Sequence, residues 1–164
     1  MQIDKDINLL TKKEFLTIFG FIFEKSEWIA DKTFDLRPFE NSEDLIKKMV
    51  NIYENTSNER VIDIFKLHPK LAIEKKLTSF SSKEQDGAKL NKCTKDELEE
   101  FRNLNNDYEK KFGFPFIIAV KGKDKNEILD NFRKRLSNNF QEEFNEAKIQ
   151  VKKIALFRLN DVLK

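Results

Sequence analysis

Three times along this chain a Thr or Asp is followed three residues later by Glu and then by apolar residues at helical spacing: Thr11 with Glu14, Thr94 with Glu97, and Asp124 with Glu127. In that pattern the first side chain and the fourth satisfy each other's orphan amides, so each pair marks a helix start. Phe15, Ile18, Phe19 and Ile22 follow the first pair; Leu98, Phe101, Leu104, Tyr108 and Phe112 follow the second; Ile128, Phe132 and Leu136 follow the third. Ser42 and Ser57 are placed to cap two more helices, over about 43–55 and 58–67, and Phe140, Phe144, Ala147, Val151, Ile154 and Val162 share one stripe of a long closing helix. Only 116–120 reads as a strand, and a lone strand has nothing to pair with. The expected fold is therefore all-α, with one extended segment near 114–120 crossing a helical core.

The 164 residues contain four Gly, three Pro and no low-complexity linker, which points to a single domain over 1–164. Sixteen Phe supply that core with large aromatic groups. Thirty-one Lys plus Arg against 29 Asp plus Glu leave a formal charge of +2, spread as scattered pairs, so no nucleic-acid partner is expected. The apolar run from 112 to 120 is too short to span a bilayer, and neither end carries a targeting signal; the expectation is a cytoplasmic protein without membrane partners. One Cys, Cys93, excludes an intramolecular disulfide, and with a single His no Cys/His set has metal-ligand spacing, so no metal site is expected.

Four places carry candidate chemistry. His68 is the only imidazole, and Pro69 behind it biases it out of the helix, so it stands at an elbow: an acid–base group, or an exposed turn histidine. Ser81-Ser82-Lys83-Glu84-Gln85 opens another helix, either with Ser81 as its cap and Glu84 closing the capping box, or with the helix N-terminus and Gln85 offered to a substrate carbonyl or carboxylate. Gly113 and Pro115 leave the 116–120 backbone without sheet partners, and something must satisfy it: neighbouring loops, or a flat amide-rich heterocycle. Arg158 continues the buried stripe of the last helix, where its charge needs Glu84, another carboxylate or an anionic substrate, unless it snorkels from a frayed end.

Taken in order, these segments resemble the 2-oxo-4-hydroxy-4-carboxy-5-ureidoimidazoline (OHCU) decarboxylase family. The resemblance runs through Phe19-Gly20, Phe23 to Ala30 and Arg37-Pro38-Phe39, then His68-Pro69-Lys70-Leu71-Ala72 and Ser81-x-x-Glu84-Gln85. It continues in Phe101, Leu104-Asn105, Tyr108 and Lys111 to Phe116, and closes at Ile154 and Arg158-Leu159. It implies a cofactor-free carboxy-lyase of urate breakdown that yields (S)-allantoin, with His68 as acid–base residue and Glu84 beside it. It further implies substrate contacts from Pro69, Ser81, Gln85, Arg158 and the backbone of Phe116, Ile117, Ile118, Ala119 and Val120, and it points to a homodimer. One departure is Lys89, where the family often has Gly. A re-purposed helical binding module and a lyase for a related ureido acid are the competing expectations.

Overall fold

The computed structural model describes residues 6–73 and 77–164, and among them eight α-helices and two short 3-10 turns are the only regular elements. The fold is all-α. Cα packing separates the chain into two compact units, the first running to Leu67 and taking in Lys152–Lys164, the second running from His68 to Val151.

The first unit contains α1 (Lys12–Phe19), α2 (Glu27–Phe34), α3 (Ser42–Glu54), α4 (Asn58–Lys66) and the last part of α8 (Phe140–Leu163). The Thr11–Glu14 capping box forms as expected, with Thr11 N–H donating to the Glu14 carboxylate at 2.7 Å and Glu14 N–H to the Thr11 hydroxyl at 3.2 Å. Helix α1 ends at Phe19, so Ile22 lies beyond it, buried but not helical. Ser57 caps α4, whereas α3 is capped by Asn41 rather than Ser42: the Asn41 side-chain oxygen Oδ1 accepts from Asp44 N–H at 2.9 Å, and Ser42 is the first helical residue. Phe15 packs on Phe19, Phe34 and Phe39. Arg37 lies 3.4 Å from the Phe34 ring centre and donates to the Phe34 and Leu10 carbonyls. The Asn8 amide pairs with both backbone groups of Phe39. The Arg37-Pro38-Phe39 motif thus fastens the segment before α1 to the loop before α3.

The second unit contains α5 (Ser79–Gly87), α6 (Lys95–Phe112), α7 (Lys125–Leu136) and the first part of α8. The Thr94–Glu97 and Asp124–Glu127 boxes both form. Gly113 ends α6 in the left-handed region at φ 80°, and the irregular segment 114–120 that follows is buried throughout. Phe116 stacks on Phe132 with centroids 3.9 Å apart, and Tyr108 meets both rings edge-on. Not every position of the apolar pattern is buried, Leu98 and Leu104 being half-exposed on α6. Leu136 is half-buried, because Arg135 takes the inward place beside it, and Phe140, the first residue of α8, is 49% exposed.

The cap of helix α5 lies three residues before the expected one. Thr78, not Ser81, is its N-cap, accepting from Ser81 N–H at 3.3 Å. Ser81 is buried one turn inside, so the Ser81–Glu84 capping box does not form. Thr78→Ala is therefore expected to cost about 1 kcal/mol, a fall of about 2–4 °C in melting temperature, which calorimetry would show. Just past α5, Lys89 adopts φ 59°, ψ 27°. Glycine takes that left-handed conformation without a Cβ penalty, so Lys89 stands where the backbone favours Gly.

Candidate active site

In the second unit the elbow and α5 are bonded to each other. Leu67 caps α4, and His68, 9% exposed, is the first residue outside it, followed by half-buried Pro69 and Lys70. The turn then passes through Ala72 at φ 65°, a conformation uncommon for a residue with a Cβ. Two buried amides hold it there. Gln85 accepts from Ala72 N–H at 3.1 Å through its side-chain oxygen, and Asn105 donates to the Leu71 carbonyl at 3.1 Å and to the Phe101 carbonyl at 2.8 Å. Lys70 adds an ion pair to Glu109 at 2.8 Å. His68 therefore sits at the mouth of a turn that cannot swing freely.

Ser81, Glu84, Gln85 and Ala88 follow one another at helical spacing on one face of α5; Ser81, Gln85 and Ala88 are buried and Glu84 is half-buried. The Gln85 oxygen is committed to the elbow, which leaves its amide N–H groups as what it can offer a ligand. The structure thus links two of the expected site segments, 68–72 and 81–85, through Gln85.

The 116–120 backbone is satisfied on one side by side chains. Arg135 donates to the Ile117 carbonyl at 2.6 Å, and Gln150 accepts from Ala119 N–H at 2.9 Å. These groups lie two residues apart, the spacing at which an extended chain presents backbone groups to the same side. Among the described residues Ile118 N–H and C=O form no hydrogen bond with protein. An edge of that kind suits a ligand bearing both a donor and an acceptor.

Arg158 belongs to the first unit and is 2% exposed, so its place on the α8 stripe does turn it inward. Its partner is Glu24, 1% exposed, whose carboxylate accepts from Nη2 at 2.9 Å; Nη1 donates to the Phe21 and Ile22 carbonyls. The carboxylate expected opposite Arg158 is thus Glu24, from the segment between α1 and α2.

Sequence reading passed over Arg135, Glu143 and Gln150, and named Asn105 only as part of the family resemblance. Each is a polar residue on the apolar face of its helix, 7% exposed or less, and the reasoning that singled out Arg158 applies equally to them. Burial and a neighbouring Glu143 carboxylate push the Tyr108 phenol well above its usual range, so it stays protonated as a donor to that carboxylate. Among the described residues no three His, Cys, Asp or Glu side chains come together as a metal site, and no helix is long and apolar enough to cross a membrane.

The family model described as OHCU decarboxylase matches residues 8–160. The uric acid degradation bifunctional protein of Bacillus sp. (strain TB-90) is 41% identical over 160 residues, which are 98% of this chain and 32% of that protein. The 2-oxo-4-hydroxy-4-carboxy-5-ureidoimidazoline decarboxylase of Halalkalicoccus jeotgali is 32% identical over 158 residues, covering 96% of this chain and 90% of that one. A crystal structure of (S)-allantoin synthase superposes with a TM-score of 0.79 at 27% identity, over 97% of this chain and 53% of the other. This chain spans about a third of the bifunctional relative and nearly all of the shorter one.

Proposed function

The chain belongs to the OHCU decarboxylase family, and on that premise we propose that it decarboxylates 2-oxo-4-hydroxy-4-carboxy-5-ureidoimidazoline to (S)-allantoin without a cofactor. The observation that carries this reading is the bond between Gln85 and Ala72. It joins the elbow bearing the only imidazole to the helix face bearing Ser81 and Glu84, which supports a common role for them.

The substrate carries a hydroxyl and a carboxylate on one ring carbon, next to the ring carbon that bears the ureido group. Breaking the bond to the carboxylate releases carbon dioxide, and its electron pair forms a double bond between the two ring carbons while the ring nitrogen takes a proton. The resulting enol loses its hydroxyl proton as a proton reaches the ureido-bearing carbon on one face. Net, one proton is taken up per carbon dioxide released. His68 is the proposed carrier between hydroxyl and carbon, a role typically worth about 10²- to 10⁴-fold. Glu84 orients the hydroxyl and the imidazole. Pro69, Ser81 and the Gln85 amide hold the ring and its substituents, and the 116–120 backbone pairs with ring amides, Ile118 N–H and C=O forming no hydrogen bond among the described residues; for Arg158 a substrate contact rests on the family resemblance alone.

The family model's unbroken match from 8 to 160 supports a single domain over 1–164. A cytoplasmic location and a homodimer complete the proposal. Substrate made fresh from urate by urate oxidase and hydroxyisourate hydrolase should lose its absorbance faster with this protein, leaving optically active allantoin. Decay at the spontaneous rate, with racemic product, would sink the reading, and retention of unreacted substrate would instead mark a binding module.

A further inference from the structure

Beneath the 116–120 segment lies a polar cluster that the proposed chemistry does not use. Arg135, 5% exposed, donates through Nε to Glu143 Oε1 at 2.8 Å and stands 2.5 Å from it through Nη2. Glu143 is fully buried; Oε1 also accepts from the Tyr108 hydroxyl at 2.5 Å, and Oε2 from the Asn138 amide at 3.0 Å. What remains of the guanidinium points at the segment: Nη1 donates to the Ile117 carbonyl, and the group's carbon lies 4.3 Å from the Phe116 ring centre. Fifteen residues further along the chain, Gln150 receives Ala119 N–H and donates to Glu146 at 2.8 Å.

An ion pair this deeply buried is a poor way to gain stability, since apolar side chains of similar volume commonly serve as well or better. What it supplies is direction. A planar fork held on one edge by a carboxylate can aim its remaining N–H at a single point. Here Arg135 and Gln150 engage the groups of residues 117 and 119 from one side, which fixes the register of the segment and turns the groups of Ile118 the other way.

We propose that Arg135, locked by Glu143 and Tyr108, and Gln150 are positioning residues for substrate recognition, setting the register in which the 116–120 backbone meets the substrate ring. This rests on the reading above that the segment faces substrate. The cluster touches no reacting atom, so its loss weakens binding more than chemistry.

Gln150→Leu removes the acceptor for Ala119 N–H without adding charge. It is expected to raise KM at least about tenfold while kcat stays within about threefold and the helical spectrum is unchanged. Exchanging the amide and the carboxylate, Glu146→Gln with Gln150→Glu, keeps an acceptor on Ala119 and should bring KM back to within about threefold of the parent. A merely structural role would lower the melting temperature and leave KM alone, and an unchanged KM in folded Gln150→Leu overturns the proposal. Should that variant not fold, Arg135→Lys carries the test, since one ammonium cannot hold both Glu143 and the Ile117 carbonyl. Parent KM there overturns the proposal too, and failure of both variants to fold assigns the cluster to the fold alone. An inactive parent protein is a different result: it removes the functional reading, and this inference with it.

Discussion

His68→Ala is expected to lower turnover by about two orders of magnitude or more while leaving the helical spectrum intact. No other imidazole exists in the chain to take over proton transfer. Gln85 and Asn105 hold the elbow through backbone groups of Ala72 and Leu71, bonds that the variant keeps. A loss confined to kcat is what a proton carrier predicts. Steady-state kinetics on substrate generated in place, beside a thermal melt, would check it, and near-parent turnover in the variant would remove His68 from the chemistry.

The second large effect concerns the Glu24–Arg158 pair, where stability and activity separate. Arg158→Gln takes the guanidinium from a carboxylate that is 1% exposed, and breaking such a pair typically costs about 3–5 kcal/mol, here a fall of roughly ten degrees in melting temperature. Glu24→Gln with Arg158→Gln replaces two charges by two amides and should recover most of that loss. Turnover by the doubly neutral protein then decides what the charge is for. If Arg158 also meets substrate, the double variant stays at least about tenfold weaker than Glu24→Gln alone, a gap near 1.4 kcal/mol. Parity between the two would make Arg158 an ion-pair partner and nothing more.

What could be read in advance follows the range of the interaction. Thr11, Ser57, Thr94 and Asp124 cap helices within three residues of themselves, and the chain announces them. Where two polar residues offer competing registers, local chemistry does not choose. Asn41 and Ser42 are neighbours, and Thr78 is followed by Ser81 just as Ser81 is followed by Glu84; the choice in α5 goes to the register that buries Ser81, Gln85 and Ala88. The stripe on α8 revealed that Arg158 is buried, but not that Glu24 would meet it across 134 positions. The Arg135 cluster stayed hidden for a related reason. Its members lie on three helices, and nothing periodic relates Tyr108 to Glu143 or Arg135 to Ile117. The resemblance to a known family named the segments proposed to face substrate, while the residues that hold those segments in place emerged only from the packing.

The discontinuous first unit has a consequence for biosynthesis. Its four leading helices emerge from the ribosome early, but Lys152–Lys164 belongs to the same unit, and Glu24 meets its cation only when Arg158 arrives. At about 5–20 residues per second that delay is on the order of ten seconds, during which a carboxylate destined for the interior has no guanidinium beside it. A ribosome stalled in the 140s would release a product missing part of its first unit rather than a trimmed tail, and the N-terminal half of that product is what chaperones and proteases would meet.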